Sequence, residues 1–274
     1  MRSKKAVVQI VKNVVIWMVS LVMLVPIALI LINSVKTPME ANSMSMSIPT
    51  SFHFENYITV IEKGKLFQSF LNSMFYAVTS IGLSVVFCSM AAFVLARRKD
   101  RLSRFLYFFI ILGIAMPVNH VALMKVMQVT HFINTRIGLS LLFTALQIPF
   151  SVFLIYGFIG TVPRELDEAA ILDGCNSITL FFKIIMPLLK PVLITVAVLN
   201  FVGAWNEFIL PLYYLNTTSK WPMNLAVYSF FGRFHTEWNL VCADIVLTSL
   251  SVIILYLIGQ KYIISGLTEG SVKG

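Results

Sequence analysis

Apolar runs of about span length alternate along this chain with stretches where Lys, Arg, Pro, Asn, Gly and Ser collect. Six runs stand out: Val14–Asn33, Phe70–Ala96, Phe105–Met124, Leu139–Gly160, Pro191–Leu212 and Leu240–Tyr262. A helix that crosses a bilayer needs ~20 mostly apolar residues, and in hydrocarbon every backbone polar group has to be satisfied internally. The pattern therefore predicts an all-α, polytopic membrane protein with six transmembrane helices, forming a single domain over residues 1–274. Pro26 and Pro149 fall in or near spans and are expected to kink them. The two longest connections, Ser34–Ser69 and Tyr213–Asn239, carry turn residues, and neither a soluble domain nor a low-complexity tract is visible.

Composition narrows the class. Of 274 residues, 58% are hydrophobic and 12% charged, whereas soluble domains carry about 25% charged residues. A soluble fold of this length has no way to hide that much apolar surface. Cys88, Cys175 and Cys242 are odd in number and lack CxxC or Cys/His spacing, so they read as packing residues, with no disulfide framework and no metal site. The first apolar run is longer than a signal-peptide core and lacks a small-residue cleavage site, so no cleavable leader is expected.

The net charge of +9 raises nucleic acid as a partner, but in a membrane chain basic residues mark cytoplasmic loops. With the N-terminus placed inside, 14 of the 21 Lys and Arg residues fall on the cytoplasmic side. This predicts a multi-pass protein of the cell membrane with both termini cytoplasmic, in contact with lipid and not with nucleic acid. The dense cluster at Ala96–Arg104 decides the orientation and reads as a topology signal, with lipid headgroup contact as a second use.

Residues 161–190 then form a cytoplasmic loop with an unusual pattern. Pro163 suits a helix start, and Glu165, Asp167 and Glu168 suit its positive end. Ala169 and Ala170 permit close approach, and Gly174 permits a left-handed stop. Asn176 or Ser177 can cap a second helix, in which Ile178, Phe181, Phe182 and Ile185 form one apolar stripe. Pro187 is expected to end that helix and Pro191 to open the next span. By physics alone the segment is either an amphipathic elbow lying on the membrane or a docking knob for a partner.

The stretch from Glu168 to Pro187 resembles the cytoplasmic signature of the permease subunits of binding-protein-dependent ABC importers. That signature is Glu-Ala-Ala, three residues, Gly, nine residues, then Ile-x-Leu-Pro. Here it reads Glu168-Ala169-Ala170, then Gly174, then Ile184-Ile185-Met186-Pro187, with Met186 in place of Leu. The similarity extends over nearly the whole chain and points to the carbohydrate branch, resembling the smaller maltose-type permease subunit. It is carried by "NSMFYAVTS" from Asn72, "INTRIGLSLL" from Ile133, "IPFSVFLIYGF" from Ile148, "WNEF" from Trp205 and "GLTEGSVKG" from Gly266. Cys175 stands where a small residue such as Ala is usual, and Ser251 near a position often held by Pro.

The resemblance implies the ABC importer permease fold with a cytoplasmic coupling helix. Glu168, Ala169, Ala170, Asp173, Gly174 and Pro187 would form the coupling surface for an ATPase. The implied partners are a second permease subunit, two copies of a nucleotide-binding ATPase subunit and an extracytoplasmic solute-binding protein. The Tyr213–Asn239 loop would reach toward that binding protein, and the Gly266–Gly274 tail toward the ATPase. The chain itself would have no catalytic residue and no cofactor. It has no GxxxxGK[ST] phosphate loop.

Polar residues within spans are the remaining candidates. Asn200, Gly203 and Glu207 recur at i, i+3 and i+7, which predicts one helix face lining a translocation path, or else an interhelical hydrogen-bond cluster. Asp244 near the start of the last span has the same two readings. Permeases for non-sugar solutes remain an alternative. A secondary transporter would call for inverted repeats or intramembrane ion-coupling residues, and an intramembrane enzyme for a clustered acid/base or Ser/His set. Neither pattern is evident.

Overall fold

The computed structural model describes residues 2–232 and 236–271. Its helices are α1 (Arg2–Ser34), α2 (Pro38–Ala41), α3 (Glu55–Lys63), α4 (Leu66–Arg97), α5 (Arg101–Leu112) and α6 (His120–Val129). They continue with α7 (Arg136–Ile159), α8 (Glu165–Leu172), α9 (Ser177–Leu188), α10 (Lys190–Asn206), α11 (Ile209–Tyr214) and α12 (Trp238–Ser271). Among the described residues the only β pairing is an isolated bridge between Phe231 and Thr236. The all-α class expected from the apolar runs is what the chain adopts. Packing divides it into two compact units, residues 1–67 with 226–251, and residues 68–225 with 252–274.

In the first unit, the most apolar stretch of α1 buries none of its residues, as suits a helix solvated by lipid or by another chain. The loop that follows is fixed by polar groups. Lys36, fully buried, donates from Nζ to the Ser45 carbonyl at 2.7 Å and to Asn33 Oδ1 at 3.1 Å. Asn56 donates to the carbonyls of Ser34 and Lys36, both at 2.9 Å, and accepts from Asn239 at 3.0 Å. Thr37 and Glu40 form a capping box on α2. Hydrogen bonds from the Thr50 hydroxyl and amide pull the Glu40 carboxyl down to about 2, so this carboxylate keeps its charge through ordinary acidification.

In the second unit, α4 presents a stripe of small residues inward. Ala77, Ser80, Ser84, Cys88 and Ala92 recur every three or four positions and are all buried. Small residues let helix backbones approach where no hydrophobic force drives helices together in lipid. Against its Cys88–Ala92 end pack Val152, Ile155 and Ile159 of α7, Leu180, Phe181 and Ile185 of α9, and Val192 and Val196 of α10.

The sequence reading of six single-helix spans is corrected in two places. The run Phe105–Met124 is not one helix. It breaks after Leu112, passes Pro117, and resumes at His120. A 12-residue helix is about 18 Å long, short of the ~30 Å hydrocarbon core. Gly113 is needed here because a Cβ would stand 2.8 Å from Pro149 Cγ. The run Pro191–Leu212 is interrupted as well, since α10 stops at Asn206 and Glu207 is extended at φ −69°, ψ 123°. Among the described residues, three helices, within α1, α4 and α7, are individually long and apolar enough to cross, α9 and α10 qualify only as a pair bent by 76°, and Trp238–Ile254 is a shorter apolar stretch of α12.

Candidate functional site

The elbow is built locally by capping. Glu165, Asp167 and Glu168 occupy the first turn of α8, where they complement the helix dipole. Its end is a Schellman motif: the Gly174 amide donates to the Ile171 carbonyl at 3.0 Å and the Cys175 amide to the Ala170 carbonyl at 3.0 Å. Gly174 sits at φ +82°, the left-handed conformation that glycine adopts without penalty. The Asn176 side chain then accepts the Thr179 amide at 2.8 Å and starts α9. Glu168, Ala169, Asp173, Gly174 and Pro187 are exposed, whereas Ala170 is buried against the bundle.

The interior of α9 departs from expectation. Leu180–Ile185 is a π-helix, with the Met186 amide bonded to the Phe181 carbonyl. Pro187 does not end the helix, which runs on to Leu188. A proline ring clashes with the carbonyl four residues back, and the wider π turn displaces the Lys183 carbonyl from that position. Widening also breaks the predicted stripe. Phe181 and Ile185 are buried with Leu180, while Ile178 and Phe182 face outward.

An ion pair missed in the sequence fastens the elbow. Arg97, at the last turn of α4, places Nε 2.6 Å from Asp167 Oδ2 and donates from Nη2 to Oδ1 at 3.2 Å. Its Nη1 donates to the Val162 carbonyl at 3.2 Å. In return Arg164 donates to the Ala96 carbonyl at 3.3 Å.

The second feature is a cavity of about 230 Å³ lined chiefly by α7 and α10, including Gln147, Phe150, Asn200, Gly203 and Glu207. The three residues predicted to share a helix face line one cavity, Asn200 and Gly203 from α10 and Glu207 from just beyond its end. Glu207 has left the helix, and its carboxylate instead accepts the Leu210 amide at 3.0 Å, opening α11. Asn200 is 5% exposed and ties three helices together. Its Nδ2 donates to Ser84 Oγ on α4 at 3.1 Å and to Ser151 Oγ on α7 at 3.0 Å. Ser84 and Ser151 are themselves 3.2 Å apart. Gln147 donates to the Asn200 carbonyl at 3.4 Å, while its Oε1 has no hydrogen-bond partner among the described residues. Gln147, Ser84 and Ser151 were legible only as isolated polar positions in apolar runs. Asp244 is buried in the first unit, with Oδ1 lacking a hydrogen-bond partner among the described residues. The last three residues of the Gly266–Gly274 tail lie outside the described residues.

The described residues thus form an all-α chain with a capped elbow and a largely apolar cavity between helices into which Gln147, Asn200 and Glu207 bring polar groups. Residues 84–268 match the family described as binding-protein-dependent transport system inner membrane component. The chain is 33% identical over 256 residues to the probable starch degradation products transport system permease protein AmyC of Thermoanaerobacterium thermosulfurigenes, covering 93% of each chain. It is 32% identical over 253 residues to the melibiose/raffinose/stachyose import permease protein MelC of Bacillus subtilis, covering 91% of each. Its fold is similar to a chain of a bacterial ABC transporter involved in the import of the acidic polysaccharide alginate. That likeness has TM-score 0.80 and 23% identity, over 94% of this chain and 96% of that one. The chain therefore belongs to the family of inner membrane components of binding-protein-dependent transport systems.

Proposed function

We propose that this chain is a permease subunit of an ATP-driven ABC importer for a sugar or oligosaccharide. It pairs with a second, different permease subunit on two copies of an ATPase, and receives solute from an extracytoplasmic binding protein. The observation that carries this reading is the elbow. Its exposed Glu168, Ala169, Asp173 and Gly174 stand on a rigidly capped turn, in a chain whose relatives are named as sugar permeases. Glu168 to Gly174, with Pro187, seat in the ATPase, and closure of that partner rocks the helices between inward-open and outward-open states. The whole chain acts as one permease domain.

The cavity that includes Asn200, Gly203 and Glu207 is this subunit's share of the translocation path. At about 230 Å³ it is smaller than the roughly 300–1,000 Å³ of complete small-molecule pockets, which supports a companion subunit supplying the other wall. The test is uptake of a panel of labelled oligosaccharides into proteoliposomes holding the chain with its companion permease, ATPase and binding protein. ATP-dependent accumulation of at least one sugar is expected. Accumulation of an amino acid or phosphonate with no sugar moved would overturn the solute class.

This reading places both termini and the elbow in the cytoplasm. Ser177 is exposed, so Ser177→Cys on a background lacking Cys88, Cys175 and Cys242 is expected to resist an impermeant thiol reagent in intact cells. Labelling should follow only after permeabilisation, and ready labelling of intact cells would reverse the orientation.

A further inference from the structure

We propose that the Arg97–Asp167 pair is the coupling strut that makes α4 move with the elbow, so that seating of the elbow on the ATPase is transmitted to the Ser84–Ser151–Asn200 contact. The proposal rests on the elbow being the ATPase-facing segment. Among the three helices that meet at that contact, α7 leads into the elbow and α10 leads out of it through the chain. The third helix, α4, has no such connection, and Arg97 and Asp167 are 70 residues apart. Whatever carries α4 along with the elbow has to be non-covalent.

Two kinds of contact are available. Ala92 and Leu95 of α4 pack against Ala170 and Phe181 in the apolar cluster beneath the elbow. Such burial is non-directional. The guanidinium is a planar fork with fixed donor directions. Arg97 donates from Nη2 to Asp167 and from Nη1 to Val162, its Nε lies 2.6 Å from the other Asp167 oxygen as an ion-pair contact outside hydrogen-bond geometry, and its guanidinium lies 5.9 Å from the centre of the Phe93 ring. Arg164 reaches back the other way to the Ala96 carbonyl. Crossed contacts of this kind hold both register and rotation. Both side chains of the pair are only 14% exposed, so water screens their attraction weakly.

The rest of α4 is suited to carry the displacement. Between Ser84 and Arg97 it contains neither proline nor glycine, the usual origins of a kink. Thirteen residues at 1.5 Å each make this a rod of about 20 Å. At its far end Ser84 Oγ accepts from Asn200 and lies 3.2 Å from Ser151, so movement of α4 bears directly on the helices that wall the cavity.

The test uses the complete reconstituted importer with Arg97→Gln, Asp167→Asn and the double variant, reading ATP hydrolysed per sugar moved in isolated, assembled complexes. Each single variant is expected to retain the ATPase subunits and raise that ratio by at least about fivefold, the lower range of allosteric coupling. The double variant should be no worse than either single, because the same contact is lost once. Arg97→Lys keeps the charge without the fork. It should fall between, and it carries the test if the neutral variants do not assemble. A wild-type ratio in every variant overturns the proposal. So does reduced abundance with a normal ratio in the complexes that form, which would assign the pair to folding alone. Release of the ATPase from assembled complexes also overturns it, by making the pair part of the docking surface. The reading on which the strut rests fails differently: a Gly174→Val importer would then transport normally, whatever the Arg97 variants do.

Discussion

Gly174→Val is expected to abolish solute uptake and solute-stimulated ATP hydrolysis while leaving the chain in the membrane at near-normal abundance. At φ +82° a Cβ at this position would meet nothing within 4 Å of the chain itself, so no internal clash is involved. The first effect is on the backbone. A β-branched residue held left-handed costs about 1–3 kcal/mol, and relief of that strain would rotate the Gly174 and Cys175 amides away from Ile171 and Ala170. Losing the Schellman bonds would misdirect the exposed Glu168, Ala169, Asp173 and Gly174 while leaving most of the apolar cluster behind them in place. The second effect is bulk, since a side chain here projects outward to where a partner would sit. Gly174→Asn separates the two, because asparagine tolerates the left-handed region. Normal uptake by the asparagine variant would assign the defect to the backbone, and loss in both variants to close fit. Uptake per membrane-inserted chain at wild-type level in Gly174→Val would mean that the segment is only a surface elbow.

Much of this was readable from the residues because it depends on local rules. The acidic first turn of α8, the glycine stop and the Asn176 cap follow from chemistry within four residues, and each appears at the expected position. The long apolar runs mark the bodies of α1, α4 and α7, whose polar ends carry the helices a few residues further, and at the start of α1 a dozen. The failures share a cause, since each depends on contacts between segments or on a departure from regular helix geometry. Phe105–Met124 breaks after Leu112, next to Gly113, where a side chain would run into Pro149 of another helix. A helical wheel for α9 assumed 3.6 residues per turn, and the π turn ahead of Pro187 invalidates it. Glu207 left its helix face because it serves the next helix. Arg97 stood in a basic cluster that topology already explained, so its pairing with Asp167 gave no separate signal.

Gly203→Leu is expected to impair transport while leaving the fold intact or slightly firmer. Gly203 lies inside α10 and is exposed, and a Cβ added there would meet nothing within 4 Å. Exchanging a glycine in the last turn of the helix for leucine favours the helix by less than the ~1 kcal/mol of an interior site, so a loss of function is not expected to come from destabilisation. The leucine side chain would instead enter the cavity it shares with Gln147 and Glu207. Uptake normalised to membrane protein should fall by about tenfold or the apparent affinity for sugar weaken, the loss of about 1.4 kcal/mol of binding. The neighbouring positions bear on the same point through different chemistry. Glu207→Gln keeps a carbonyl oxygen able to accept the Leu210 amide, whereas Glu207→Leu leaves that amide open at a cost of about 1–3 kcal/mol. The glutamine variant should therefore be the better tolerated if hydrogen bonding outweighs charge. Asn200→Ala removes two hydrogen bonds between helices, worth on average only ~0.6 kcal/mol each in a membrane, and Ser84 and Ser151 still reach each other at 3.2 Å. Abundance should therefore hold in that variant, and a weakened apparent affinity for sugar would mark it as part of the path. If Gly203→Leu, Glu207→Leu and Asn200→Ala all transport normally per molecule, this cavity does not lie on the route of the solute.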